Sequence, residues 1–256
     1  MFRAIIRTLH LTVFVFLEYV RSGRILADLM AMIVFYYLFF KVQWGGRMDA
    51  EHFFTLLGIY TLAISLYTMS ATLSLGDRPQ NYILLSRRLG RTGYLLGLYL
   101  NAVGIVFAHY MLLCIVTRFF TYVEDLNIIT WAFGSIPLLL NVGLFSALLL
   151  LLSPMVFSTG WRLFVLSLFA LAFSGNFFTG VAQSAMPPTL LNVLKSLQTI
   201  LSWPLVPAFS GFALAVDREI SLYAGIVIVA QFSLLVALLG LAFFSFSRRE
   251  LMFGVE

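Results

Sequence analysis

Thirty consecutive residues, 128–157, carry no charged side chain, and uncharged runs also fill 53–75, 163–181 and 221–246. Few folds can house such runs. A surface helix of a soluble domain interrupts its apolar stripe with polar residues every turn, whereas about 20 apolar residues in a row cross a bilayer as a helix. Barrel strands alternate between lipid and lumen, which argues against continuous runs of this kind. Only 11% of the 256 residues are charged and 61% are hydrophobic, against roughly a quarter charged in soluble domains. The expected fold is an all-α polytopic membrane domain that takes up residues 1–256 as one unit.

Six crossings are expected, at 25–43, 53–75, 94–117, 128–157, 163–181 and 221–246. Segment 184–217 is different. Its apolar helical pattern, 189–201, is too short to cross and is bracketed by Pro187, Pro188, Pro204 and Pro207. Proline removes a backbone donor and clashes with the preceding turn, so this stretch reads as broken, re-entrant or surface helices on the outer side. The single cysteine, Cys114, lies within the third span, so no intrachain disulfide can form.

The first 24 residues do not read as a span. Arg3, Arg7, His10, Glu18 and Arg21 fall within about 80° of one another at 100° per residue, with only Phe14 interrupting the stripe. Phe2, Ile5, Ile6, Leu9, Val13, Phe16, Leu17 and Val20 occupy the rest. A crossing here would place several charges in hydrocarbon at roughly 2.5–3.5 kcal/mol each. Segment 1–24 is therefore expected to lie in the interface as an amphipathic helix. Charges recur through it, so no cleavable signal is expected.

Charge also sets the orientation. With the N-terminus inside, the inner side carries Arg3, Arg7, Arg21, Arg24, Arg78, Arg87, Arg88, Arg91, Arg162, Arg248 and Arg249, and the outer side Lys41, Arg47, Arg118, Lys195 and Arg218. Eleven against five satisfies the positive-inside rule with both termini cytoplasmic. Segment 76–93 then becomes a cytoplasmic loop. Its arginines could serve topology alone. It also holds an apolar patch, NYILL (81–85), beside the basic run, and an apolar patch facing water is a candidate docking surface.

The stretch YILLSRRLGRTGYLLGL (82–98), preceded by Asp77-Arg78, resembles the coupling segment of ABC-2 type transporter permeases. An interfacial connecting helix, six spans and broken helices before the last span extend the resemblance over the whole chain. Arg88 or Leu89 stands where the family has a proline, and Leu98 where it has a lysine. The resemblance implies export through the bacterial cytoplasmic membrane, powered by two copies of a separate ATPase that bind ATP and Mg, with a second permease copy or close paralogue completing the pathway. No G-x-x-x-x-G-K-[ST] phosphate loop occurs in this chain, and no cofactor of its own is implied.

The family likeness further implies roles for particular residues. Asp77, Arg78, Tyr82, Ile83, Leu84, Leu85, Arg87, Arg88 and Arg91 would couple to the ATPase. Phe35, Tyr36, Tyr37, Phe39 and Phe40 of the first span and Phe169, Phe173, Phe177 and Phe178 of the fifth would line a substrate path for a lipid, a glycolipid or polysaccharide, or a hydrophobic small molecule. Interfacial belts and lipid-facing positions are an equally ordinary use of aromatics. Asn101, His109, Asn141, Asn176 and Gln231 fall inside spans and read chiefly as interhelical hydrogen-bonding groups. Asp28, one turn after Arg24, reads as its i,i+4 partner. Alternatives to the exporter are a cofactor-export subunit of cytochrome maturation and a polytopic enzyme or scaffold. An enzyme would cluster His, Asp or Glu at one membrane depth, and no such catalytic constellation stands out.

Overall fold

The computed structural model of the chain describes residues 2–42, 47–76, 90–173, 188–218 and 221–248. Helix α1 (Phe2–Arg21) meets α2 (Arg24–Phe35) at a 72° bend. Gly23 forms the corner with φ 76°, a left-handed backbone that costs glycine nothing. Helix α2 runs on through wider π turns at Tyr36–Val42. There follow α3 (Ala50–Gly76), α4 (Arg91–Phe120), α5 (Ile128–Leu151), α6 (Thr159–Phe173), α7 (Pro188–Ser202), α8 (Val206–Asp217) and α9 (Leu222–Arg248). Helices α3, α4, α5 and α9 are each long and apolar enough to cross a bilayer.

The bundle is organised around α5, which packs on α3, α4, α8 and α9. At one end the core comprises Leu11, Leu95, Leu98, Ala102, Leu150, Ala242 and Phe246. At the other it comprises Phe40, Phe53, Phe54, Leu57, Tyr110, Leu138 and Val142. Close approach relies on bare glycine positions: a Cβ on Gly134 would come within 2.5 Å of the Phe54 ring. The expected all-helical plan has one small exception. Arg47–Met48 and Tyr122–Val123 pair as two-residue parallel strands, and Glu124 N donates to Met48 O at 2.8 Å.

The expected breaks at Pro204 and Pro207 fall where α7 gives way to a 3-10 turn and α8 begins, but the segment is not too short to cross. Residues Lys195–Asp217 form one 23-residue helical run, long and apolar enough to cross, with a single 3-10 turn at Trp203–Leu205. Pro188 opens α7, Pro204 sits at the start of the 3-10 turn, and Pro207 sits in the first turn of α8. At a helix start the missing N–H has no carbonyl to meet, so proline is accommodated there. The described helices thus include five candidate spans, or six if the bent α1–α2 pair counts as one. The fifth expected span, 163–181, corresponds to α6 up to Phe173 and beyond that lies outside the described residues.

Candidate functional site

Most of the residues expected to couple to an ATPase, Asp77, Arg78, Tyr82, Ile83, Leu84, Leu85, Arg87 and Arg88, lie outside the described residues. The frame that holds the segment is described. Gly76 O, at the end of α3, accepts from Tyr94 Oη in the first turn of α4 at 2.6 Å, which ties the two flanks of segment 77–89 together. Arg91 opens α4 and donates to Ser247 O at 2.9 Å, tying the exit of the loop to the end of α9. Arg24, at the start of α2, donates to Ala71 O and to Ser74 Oγ (3.1 Å). A cation near the C-terminal end of α3 complements the helix dipole.

Helix α1 packs along this frame. Thr8, Leu11, Val15 and Tyr19 are buried, an i, i+3, i+7, i+11 row turned to α4 and α3. Thr12 Oγ1 donates to Gly97 O at 3.3 Å, and a Cβ on Gly97 would come within 2.7 Å of Leu11 Cδ2. Gly97 lies only six residues beyond Arg91. Helix α1 and the start of α4 are therefore one mechanical junction. Sequence reasoning split α1 into a polar and an apolar face and missed this third one, although the row Leu11, Val15, Tyr19 carries its four-residue spacing openly.

The aromatic candidates are divided. Phe40 is wholly enclosed, at 6.1 Å between ring centroids from Phe53. Phe35 and Phe39 lie tilted with ring centroids 4.6 Å apart and Phe35 also meets Tyr60, while Tyr36 Oη shares a hydrogen bond with Thr121 Oγ1 at 3.1 Å. Tyr37 alone of the five is exposed, with the Lys41 ammonium 5.8 Å from its ring. Phe169 and Phe173 belong to α6, whose described backbone ends at Phe173. Phe177 and Phe178 lie outside the described residues. A separate cavity of about 530 Å³ opens between α4 and α5, lined by Met111, Cys114, Arg118, Phe119 and Trp131 among others.

Polar residues inside the helices fall into two groups. Gln231 of α9 donates from Nε2 to Asn141 Oδ1 (2.8 Å) and Pro137 O (3.2 Å), and Asn141 Nδ2 donates to Ala208 O (2.9 Å). One network thus joins α5, α8 and α9, as expected of interhelical groups. Asn101 Nδ2 likewise reaches Thr72 Oγ1 at 3.3 Å. The expected Arg24–Asp28 pair is corrected: Arg24 is taken by the end of α3, and Asp28 Oδ2 accepts from Tyr19 Oη at 2.6 Å. The bend between α1 and α2 carries Tyr19 back over Asp28, a contact that linear helix spacing could not reveal.

At the opposite end of α3, Asp49 precedes the helix and its Oδ1 accepts from His52 N at 2.9 Å and meets His52 Nδ1 at 2.6 Å. The backbone N–H first, then the imidazole, hold this carboxyl below its ordinary range. A depressed carboxyl contributes stability that is present above its unfolded value and is lost as pH falls through the folded one. Amide exchange at His52 is expected to stay protected through the ordinary carboxyl value near about pH 4 and to lose that protection only below it. Protection already lost above about pH 4 would remove Asp49 as the cap.

No family model matches this sequence, and neither a curated protein nor a solved structure matches it.

Proposed function

We propose that the chain is the membrane-spanning subunit of an ATP-driven exporter of the ABC-2 type. It would reside in a bacterial cytoplasmic membrane with both termini inside, beside a second permease copy or paralogue and two ATPase subunits that bind ATP and Mg. The observation that carries this reading is the junction of α1 with the exit of segment 76–93. The first buried row of α1 rests on α4 just past Arg91, and Arg24 holds the last turn of α3 just before the loop. A load applied to the loop would reach the first span through both contacts. Ile83, Leu84 and Leu85 would seat in an apolar cleft of the ATPase, with Arg87, Arg88 and Arg91 facing its acids.

Cycling of the ATPase would then bias the permease between inward- and outward-facing states through contacts that differ between the two. Tyr37, exposed on the first span, is the aromatic best placed to meet a lipid, glycan-lipid or hydrophobic cargo, and Phe40 serves the core. The double change Leu84→Asp/Leu85→Asp is expected to abolish stimulation of the co-purified ATPase while the detergent-solubilised permease melts as before. Unchanged stimulation, or no ATPase co-purifying from native membranes, would refute this assignment.

A further inference from the structure

The cavity between α4 and α5 sits where the first of these helices ends and the second begins. Its volume of about 530 Å³ falls within the roughly 300–1,000 Å³ of ligand pockets. Met111, Cys114 and Ile115 line it from α4, Ile128 and Trp131 from α5, and Phe53 from α3. Walls of this kind make dispersion contact with hydrocarbon and offer water too few polar partners. Arg118 lines the same cavity, two turns beyond Met111 on α4. At 1.5 Å per residue the lining therefore runs about 10 Å along that helix.

Of the residues lining the cavity, Arg118 alone is charged. It is exposed in the last turn of α4. Among the described residues its guanidinium forms no hydrogen bond or ion pair, and neither Glu124 nor Asp125, the acids next along the chain, reaches it. The lining's other polar side chains are engaged locally. Thr117 Oγ1 donates to Leu113 O at 2.8 Å, and Asn127 Oδ1 accepts from Ile129 N and Thr130 N at 2.9 Å each. The rim itself is apolar: Phe119 is 79% exposed and Ile128 81%. On a bundle of spanning helices such side chains belong against lipid, while an arginine near the end of a span reaches for the head-group level.

We infer that this cavity binds an anionic phospholipid, with an acyl chain between α4 and α5 and the phosphate at Arg118. Charge and shape select the occupant together. A hydrocarbon chain alone leaves the guanidinium without an anion, and a soluble anion alone leaves the walls without hydrocarbon. An anionic amphiphile meets both, and a guanidinium presents the planar fork that suits phosphate. A zwitterionic lipid carries the same chains, but its ammonium offsets the phosphate, so Arg118 sets the head-group preference. Val123 and Leu126, in the turn that joins the two helices, also line the cavity, so a seated chain braces that turn. The assignment rests on the cavity and Arg118 and stands whether or not the chain couples to an ATPase.

The test uses the full chain in phosphatidylcholine nanodiscs, with Trp131 as the reporter and phenylalanine in place of Trp44, Trp161 and Trp203, the other tryptophans. Phosphatidylglycerol or phosphatidylcholine brominated along its acyl chains is added at low mole fraction, and quenching is followed. Quenching of Trp131 by the phosphatidylglycerol is expected to saturate, at a mole fraction about fivefold lower than the phosphatidylcholine requires. Arg118→Gln, a change at an exposed position, removes that difference, and Arg118→Lys keeps it. A protein whose one tryptophan is Trp203, which is 73% exposed, should be quenched alike by both lipids. The unaltered protein supplies a second readout: exchanged into detergent with equal amounts of the two lipids, it should retain phosphatidylglycerol about fivefold over phosphatidylcholine in mass spectra of the intact complex. Equal quenching of Trp131 by the two head groups, a preference that survives Arg118→Gln, one shared by Trp203, or equal retention by the unaltered protein each overturns the proposal. So does loss of the preference on adding inorganic phosphate at constant ionic strength, which would make Arg118 a site for a free anion.

Discussion

Replacing Gly211 with valine is expected to destabilise the bundle by about 3 kcal/mol or more, from overpacking together with stranded buried polar groups. A side chain there would collide directly with the Gln231 amide, which Gly211 now accommodates without a Cβ. Gln231 is fully buried and bonded to Asn141 and Pro137, so it has nowhere to withdraw without abandoning both. Asn141 would in turn lose its hold on Ala208 of α8. Even alanine at 211 should lower the melting temperature of the detergent-solubilised protein measurably. Gly240→Ala is the matched control, because a Cβ on Gly240 meets nothing within 4 Å. Equal melting of the two alanine variants would show that the network does not hold α8 in place.

The second large effect concerns the attachment of α1. Gly97→Leu should push Leu11 out of its seat and break the Thr12 bond to Gly97 O. The buried row of α1 includes Val15, so a cysteine there, placed in a Cys114→Ala background, reports on whether α1 stays docked. Overpacking at this contact costs about 1–3 kcal/mol, which converts to roughly fivefold to a hundredfold in the detached population. Maleimide labelling of the Val15→Cys thiol should accelerate to match, while the melting of the α3–α5 core changes little. Labelling no faster than with glycine at 97 would mean that α1 is held elsewhere, with Tyr19 as the obvious anchor.

The long helices were legible because their uncharged runs admit little else, and α3, α4, α5 and α9 lie close to the spans read from hydropathy. What the sequence hid was the use of prolines and the pairing of polar groups. Pro204 and Pro207 do interrupt the α-helix, but each occupies the start of the next helical turn, where its missing donor costs nothing, so the run continues across them. Asp28 has Arg24 at ideal helical spacing, and the pairing still fails because both side chains find partners across the fold. Gln231 and Asn141 sit ninety residues apart, so sequence could mark them as polar without joining them. Of the residues proposed to couple to an ATPase, Arg91 is placed by its bond to Ser247, and the apolar patch 81–85 lies beyond the described residues.

Helix α1 presents three faces of different chemistry, set roughly 120° apart by helical geometry. Thr8, Leu11, Val15 and Tyr19 face the bundle, while Ile5, Leu9, Val13, Phe16 and Val20 lie exposed on an apolar side. Arg7, His10, Glu18 and Arg21 form the remaining polar side. A helix with two faces can roll a little at modest cost, because its boundaries are broad. One with three cannot, since a roll in either direction carries each face into a medium that suits another. That degree of freedom is removed by the amino-acid pattern itself. What remains to α1 is displacement along its own axis and a change of angle at Gly23, so the first turn of α2 receives any motion of α1 as a pull or a tilt and never as a twist.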